Sequence, residues 1–306
     1  MTSDGHLRAA TRGSALALWQ TRHVARLVAE ANQDLELAVE EVVVSTVGDR
    51  RTDVPIHTMG GKGVFVKEVQ AAVLDGRADF AVHSAKDLPA ITPDGLVLVA
   101  VPVRGDVRDA LVGSRWEELR PEARVATGSV RRRAQMAWLR PDLVFSELRG
   151  NIDTRLGHAA DFDAIVMAAA ALDRLDRRPE IVERLDPQVM VPQVGQGALA
   201  IECRADDERL CQRLAAIEDP ATRRVVDAER AFLAELGGDC DLPAGALGRL
   251  RSDPDDPEGP IELSAVLASL DGQWLVRDQR VGDDPEELGR AVARSLRAEL
   301  DRGERS

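Results

Sequence analysis

The sequence predicts an α/β protein of two lobes, followed by a smaller α+β module with antiparallel strands. Apolar strand-like runs alternate with helical stretches of 3.6-residue period through the first two thirds, as they do when crossover helices connect a sheet. A turn cluster, Gln193-Val194-Gly195-Gln196-Gly197, then reads as a return crossing, after which Ala198 to Cys203 would add a strand to the first lobe. The length of 306 residues is too great for one small core.

Taken in order, Leu7 to Ala10 reads as a strand, Ser14 to Ala31 as a helix, and Val39 to Val47 as a second strand. Gly63 to Leu74 reads as a helix ended by Gly76, and Asp79 to His83 as a strand leading to Lys86 and Asp87. Leu96 to Val103 closes this series, with a boundary near residue 103. In the second series, Arg124 to Ala126, Leu143 to Leu148 and Asp163 to Ala168 are strands; Val130 to Leu139 and Asn151 to Ala160 are helices. A helix from Thr222 to Leu236 precedes strand-like segments at Ile261 to Leu267 and Trp274 to Val281, then a helix from Pro285 to Leu300. The expected domains are 1–103 with 197–218, 104–196, and 219–306.

Hydrophobic residues make up 44% and charged residues 30%, as in an ordinary globular protein. The net charge of −13 and 3% aromatic content argue against nucleic-acid binding and against an anionic membrane surface. The chain has no run of 18 apolar residues, and its first residues show no basic-then-apolar signal, so a cytoplasmic protein is expected, and with no evident interface stripe a monomer. Cys203, Cys211 and Cys240 are an odd number with no C-x-x-C pair, which argues against a zinc site and a disulfide framework. Cys203 and Cys211 read as inert packing thiols. Cys240 lies in a Gly-rich loop between Asp239 and Asp241, carboxylates that disfavour a thiolate.

Val82-His83-Ser84-Ala85-Lys86-Asp87-Leu88-Pro89 runs from an apolar strand into a lysine, a carboxylate and a proline. Ligands of open α/β sheets sit beyond the carboxyl ends of strands, which makes Asp87 a candidate acid or base; the plainer alternative is a turn-capping Asp beside a solvated Lys. Two segments repeat one design, Ala10-Thr11-Arg12-Gly13-Ser14 and Ala126-Thr127-Gly128-Ser129, the latter followed by Arg131 and Arg132. Each would follow a strand and open a helix with Ser14 or Ser129 as N-cap, so each offers free N–H groups beside a guanidinium to an anion. Val130, Ala134 and Ala137 would form the buried side of the second helix, leaving Arg131 and Arg132 around its first turn. Leu148-Arg149-Gly150-Asn151-Ile152-Asp153-Thr154-Arg155 adds two more arginines at a helix start, and together the arginines imply a ligand with several carboxylates or phosphates. Gly60-Gly61-Lys62-Gly63 lacks the spacing and hydroxyl of a P-loop.

Six motifs in order are those of a known family. Thr11 to Gln20, Gly60 to Glu68, Val82 to Pro89, Leu148 to Asn151, Val194 to Ala198, and Glu229-Arg230 through Cys240 to Pro243 make the chain resemble the porphobilinogen deaminases, also called hydroxymethylbilane synthases. The resemblance implies two lobes like those of periplasmic binding proteins and a C-terminal domain carrying a dipyrromethane cofactor on a thioether to Cys240. It implies a transferase that joins four porphobilinogen molecules head to tail with loss of ammonia, giving hydroxymethylbilane. Asp87 matches the family's catalytic acid. Arg12, Ser84, Lys86, Thr127, Ser129, Arg131, Arg132, Arg149 and Arg155 match its cofactor and substrate binders, and Lys62 and Gln196 match positions near its cleft. The chain departs from the family pattern at Asp239, Leu242, Ala244 and Thr58. Asp239, directly before the cysteine, keeps open a second reading, an inactive polyanion- or pyrrole-binding relative on the same scaffold.

Overall fold

The computed structural model describes residues 5–33, 37–46, 66–237, 242–251, 256–269 and 272–303. Lys62, Thr58, Asp239 and Cys240, and the first residues of the helix expected from Gly63, lie outside the described residues. The chain divides into two compact units, residues 1–104 with 198–223, and residues 105–197 with 224–306.

In the first unit, strands β1 (His6–Arg12), β2 (Ala38–Val44), β3 (Phe80–Ser84) and β4 (Leu96–Ala100) are joined by β10 (Leu199–Arg204) in the order β2-β1-β3-β10-β4. β1 pairs in parallel with β2 and β3, whereas β10 runs antiparallel between β3 and β4. The return crossing therefore adds its strand to the first sheet, as the turn cluster led us to expect. Because neighbouring strand residues point to opposite faces, β1 feeds two layers of core. Leu7 and Ala9 pack with Val24 and Val28 of α1 (Ala15–Ala31), while Ala10 packs with Val69, Ala72 and Val73 of α2 (Lys67–Leu74). Leu210 and Leu214 of α6 (Glu208–Ala215) join the first layer.

The second unit repeats this plan. Its strands β5 (Asp109–Val112), β6 (Arg124–Ala126), β7 (Val144–Ser146), β8 (Ala164–Ala168) and β9 (Val182–Arg184) lie in the order β7-β6-β8-β5-β9. Parallel β7, β6 and β8 correspond to β2, β1 and β3, and antiparallel β5 takes the place of β10. Met136 of α3 (Val130–Leu139) covers one face with Leu111, Val125 and Val166. Ile165, Met167 and Leu172 fill the other, beside α4 (Ile152–Gly157) and α5 (Ala169–Arg174). These are the two α/β lobes expected, each a mixed five-stranded sheet covered by helices.

The same unit holds an antiparallel meander of β11 (Ala244–Leu250), β12 (Ile261–Ala268) and β13 (Leu275–Gly282). α8 (Pro285–Gly303) turns Leu288, Val292, Leu296 and Leu300 inward, at the i, i+4 spacing of one helix face. It crosses α7 (Pro220–Glu235) so closely that a Cβ at Gly289 would strike the backbone of Ala228 and Phe232.

The structure departs from expectation in places. The second strand ends at Val44, and Val47, its expected end, lies outside the described residues. The helix expected from Asn151 to Ala160 ends at Gly157, and a short 3-10 turn, Ala159–Asp161, follows. β5, β9 and β11 were not expected; β11 is interrupted by Gly245 and Gly248.

Candidate active site

In the first unit the candidate residues gather at the carboxyl ends of β1 and β3. Ser14 caps α1, its hydroxyl accepting from the Ala17 amide at 3.3 Å, as the motif requires. Ser84 ends β3, and the 3-10 turn Ala85–Asp87 then carries Lys86 and Asp87, both half-buried. Buried Gln20 on α1 donates from Nε2 to the Ser84 hydroxyl at 2.9 Å, tying the helix to the strand end. Arg12, Ser14, Gln20, His83, Ser84 and Asp87 line one cavity over an apolar floor of Val66, Val69 and Val82. The structure thus brings Asp87, Arg12, Ser14 and Ser84 together.

Behind this cavity lies a polar cluster that sequence reasoning missed. His83 Nε2 stands 3.2 Å from Glu202 Oε2, with the two side chains 4% and 1% exposed. Gln70 Nε2 donates to the same carboxylate oxygen at 2.8 Å. His83 lies within the Val82-to-Pro89 motif, but its partner is 119 residues away on β10, a pairing that no local pattern reveals.

In the second unit Thr127, Ser129, Arg131, Arg132 and Gln196 come together around a residue the sequence did not single out. Ser129 caps α3 by accepting from the Arg132 amide at 3.4 Å, and its own amide donates to the Thr127 hydroxyl at 3.2 Å. Arg131 and Arg132 do not ring an exposed first turn. Both turn inward onto Asp109, fully buried at the start of β5: Arg131 Nη1 is 2.8 Å and Arg132 Nη2 2.7 Å from its carboxylate. Val130 and Ala137 are only half-buried, because the buried face is set by this ion cluster together with Ala134, Gln135 and Met136. Gln196 Nε2 donates to Asp109 at 3.0 Å and to the Val107 carbonyl at 2.8 Å. Burial alone would raise the Asp109 carboxyl, but the charges of Arg131 and Arg132 outweigh it and hold it well below the usual carboxylate range. Two guanidiniums face one carboxylate, and Arg131 Nε has no hydrogen-bond partner among the described residues.

Arg149 and Arg155 flank the start of α4 and are half-buried, with Arg155 Nε donating to the Gly150 carbonyl at 2.8 Å. Arg174, also unforeseen, donates to the Gly197 carbonyl at 2.7 Å. Its burial lowers the guanidinium to about 10. Each unit therefore presents a set of cationic and N-cap groups suited to carboxylates.

The sequence profile described as "Porphobilinogen deaminase, dipyromethane cofactor binding domain" matches residues 7–212, and "Porphobilinogen deaminase, C-terminal domain" matches residues 224–298. The chain belongs to the porphobilinogen deaminase family. The porphobilinogen deaminase of Acidothermus cellulolyticus is 46% identical over 301 residues, covering 95% of this chain and 88% of the relative. That of Roseiflexus castenholzii is 45% identical over 293 residues, 94% of each chain. That of Bacillus subtilis is 42% identical over 293 residues, 94% of this chain and 91% of the relative.

The family's cofactor is a dipyrromethane, whose pyrroles carry carboxylate side chains. The residues present fit such a group, because the cluster around Asp109 has one guanidinium charge in excess and an unmatched Nε donor. Among the described residues no group of His, Cys, Asp and Glu is arranged to hold a metal ion, and no helix is long and apolar enough to cross a membrane.

Proposed function

We propose that this member of the porphobilinogen deaminase family performs the family's full reaction, joining four porphobilinogen molecules head to tail to give hydroxymethylbilane, with Asp87 as acid and base. The observation that carries the role of Asp87 is its place in the cavity of the first unit, at a strand end and beside Arg12 and the capped start of α1. There it can hand a proton to the departing amine and then, as carboxylate, face the positive charge left on the pyrrole. Arg12 and the N–H groups behind Ser14 bind a carboxylate of that pyrrole, while Lys86 and Ser84, the latter held by Gln20, complete the cavity rim. Arg131, Arg132, Arg149, Arg155, Thr127 and Ser129 bind carboxylates in the second unit, with Gln196 fixing the Asp109 cluster from the return crossing.

The dipyrromethane, bound through a thioether to Cys240, supplies the pyrrole carbon on which chain growth begins. Lys62 belongs to the same proposal as a neighbour of the growing chain. So does the division into three domains, 1–103 with 197–218, 104–196 and 219–306. A cytoplasmic monomer that binds neither nucleic acid nor membrane completes it, supported by the net charge of −13.

Two measurements test this reading. Intact mass under denaturing conditions should show an added dipyrromethane that is absent from Cys240→Ser; unmodified protein, even after incubation with porphobilinogen, would refute the attachment and favour the inactive-relative reading. Asp87→Ala should lower kcat by about 10²-fold or more while leaving circular dichroism and thermal unfolding unchanged. Near-normal turnover in that variant would remove Asp87 from the chemistry.

A further inference from the structure

The cysteines expected to be inert prove to be neighbours. Cys203 on β10 and Cys211 on α6 face each other with their sulfurs 3.5 Å apart. The contact is built into the fold. β10 is pinned on both sides, Cys203 standing in register with Phe80 of β3 and Val97 of β4. Asp207 caps α6 by accepting from the Leu210 amide at 3.0 Å, and Leu210 and Leu214 anchor the helix in the core that also contains Cys203. Strand and helix therefore hold the two thiols together across a connection of seven residues, 204–210.

The two thiols differ in access. Cys203 is fully buried, and burial first, then the hydrogen bond with Cys211, pushes its thiol far up from the usual range. Cys211 is half-buried, with its Sγ also 3.7 Å from the Arg204 carbonyl. A partly accessible thiol backed by a fully buried one has the arrangement of an attacking and a resolving cysteine.

We propose that Cys203 and Cys211 form a reversible, peroxide-driven disulfide, a modification site separate from the tetrapyrrole chemistry. The Cys211 thiolate attacks hydrogen peroxide; an S–O bond forms, the O–O bond breaks, and hydroxide leaves as the sulfur is oxidised to a sulfenic acid. The Cys203 sulfur then attacks that of Cys211; the S–S bond forms, the S–O bond breaks, and the departing hydroxide takes the Cys203 proton as water. In sum, two thiols and one peroxide give one disulfide and two waters. The sulfurs must close from 3.5 Å to the ~2.05 Å of a disulfide. A dithiol reductant reverses the bond.

The test uses the whole holoenzyme, in which Cys240 carries its cofactor and is not a free thiol on the reading above. The protein is treated with hydrogen peroxide, unfolded, alkylated and digested with trypsin, which cuts between the two cysteines after Arg204 and Arg209. The expected product is peptide 185–204 linked to peptide 210–213, with a loss of two hydrogen masses, restored by dithiothreitol. Cys203→Ala should stop at a Cys211 sulfenic acid that dimedone traps. Cys211→Ser should leave Cys203 reduced and alkylatable, with basal turnover unchanged. The proposal is overturned if Cys203 stays alkylatable in oxidised wild type, whether Cys211 is then unreacted, over-oxidised, or joined to a second molecule. Loss of cofactor would be read separately by intact mass, so failure of the Cys240 assignment and failure of this one are distinguishable.

Discussion

Asp109 shows how much one buried side chain can organise. Two guanidiniums and an amide share its carboxylate, and neither Arg131 nor Arg132 can re-enter water without undoing the helix start. Asp109→Asn leaves both guanidiniums buried with no counter-charge, a change expected to cost about 3–5 kcal/mol in denaturant unfolding. The sign of the pH effect follows from a carboxyl held low in the fold. Its stabilisation is complete above the unfolded-state value of about 4 and is lost as pH falls towards the folded value. Asp106, lowered to about 2 chiefly by Arg108 and Arg184 against its own burial, adds to this in the same direction. Acid titration should therefore show stability falling below about pH 4, with a weaker dependence in Asp109→Asn. Arg131 and Arg132 were recognisable as candidate binding arginines from their place after Ser129, but their counter-charge was not, since Asp109 lies 22 and 23 residues earlier and no local pattern pairs them.

Among the elements, those carrying punctuation could be read from sequence. Ser14 and Ser129 mark helix starts because an N-cap is a local device, and the structure finds both hydroxyls accepting from the helix amides. Non-local ties were invisible. Glu229, fully buried on α7, accepts from the Gly195 amide at 2.7 Å with one oxygen and from the Gly248 amide at 2.9 Å with the other. It thereby joins the return-crossing turn to β11 within the second unit. Only a carboxylate accepts with both oxygens, so Glu229→Gln strands one amide and should cost about 1–3 kcal/mol in urea unfolding. A similar Tm for the variant and wild type would show that the tie is dispensable. At the turn itself, Gly197 has φ +85°, and a Cβ there would lie 2.7 Å from the Gly105 carbonyl oxygen. A side chain has no room at Gly197.

For the whole molecule, composition was the most informative guide. An excess of 13 negative charges coexists with the buried arginines around Asp109, so the net charge and this cationic cluster are separate features. A particle of that charge repels its copies, and sedimentation should give a single species near 33.2 kDa, moderately salt-independent. A dimer at micromolar concentration would contradict the monomer. The repeated lobe order was only partly legible: an added strand at Ala198 to Cys203 was expected in the first lobe, but neither its antiparallel place inside the sheet nor its counterpart in the second lobe was.

That inserted strand bears on how the chain matures during synthesis. β10 sits between β3 and β4, yet it leaves the ribosome about 100 residues after them. Until then the nascent first lobe has two unpaired edges where its sheet will close, while every strand of the second lobe's sheet has already been made. The later-translated lobe is thus the first able to complete its sheet, and the strand end bearing Asp87 gains its neighbour only afterwards.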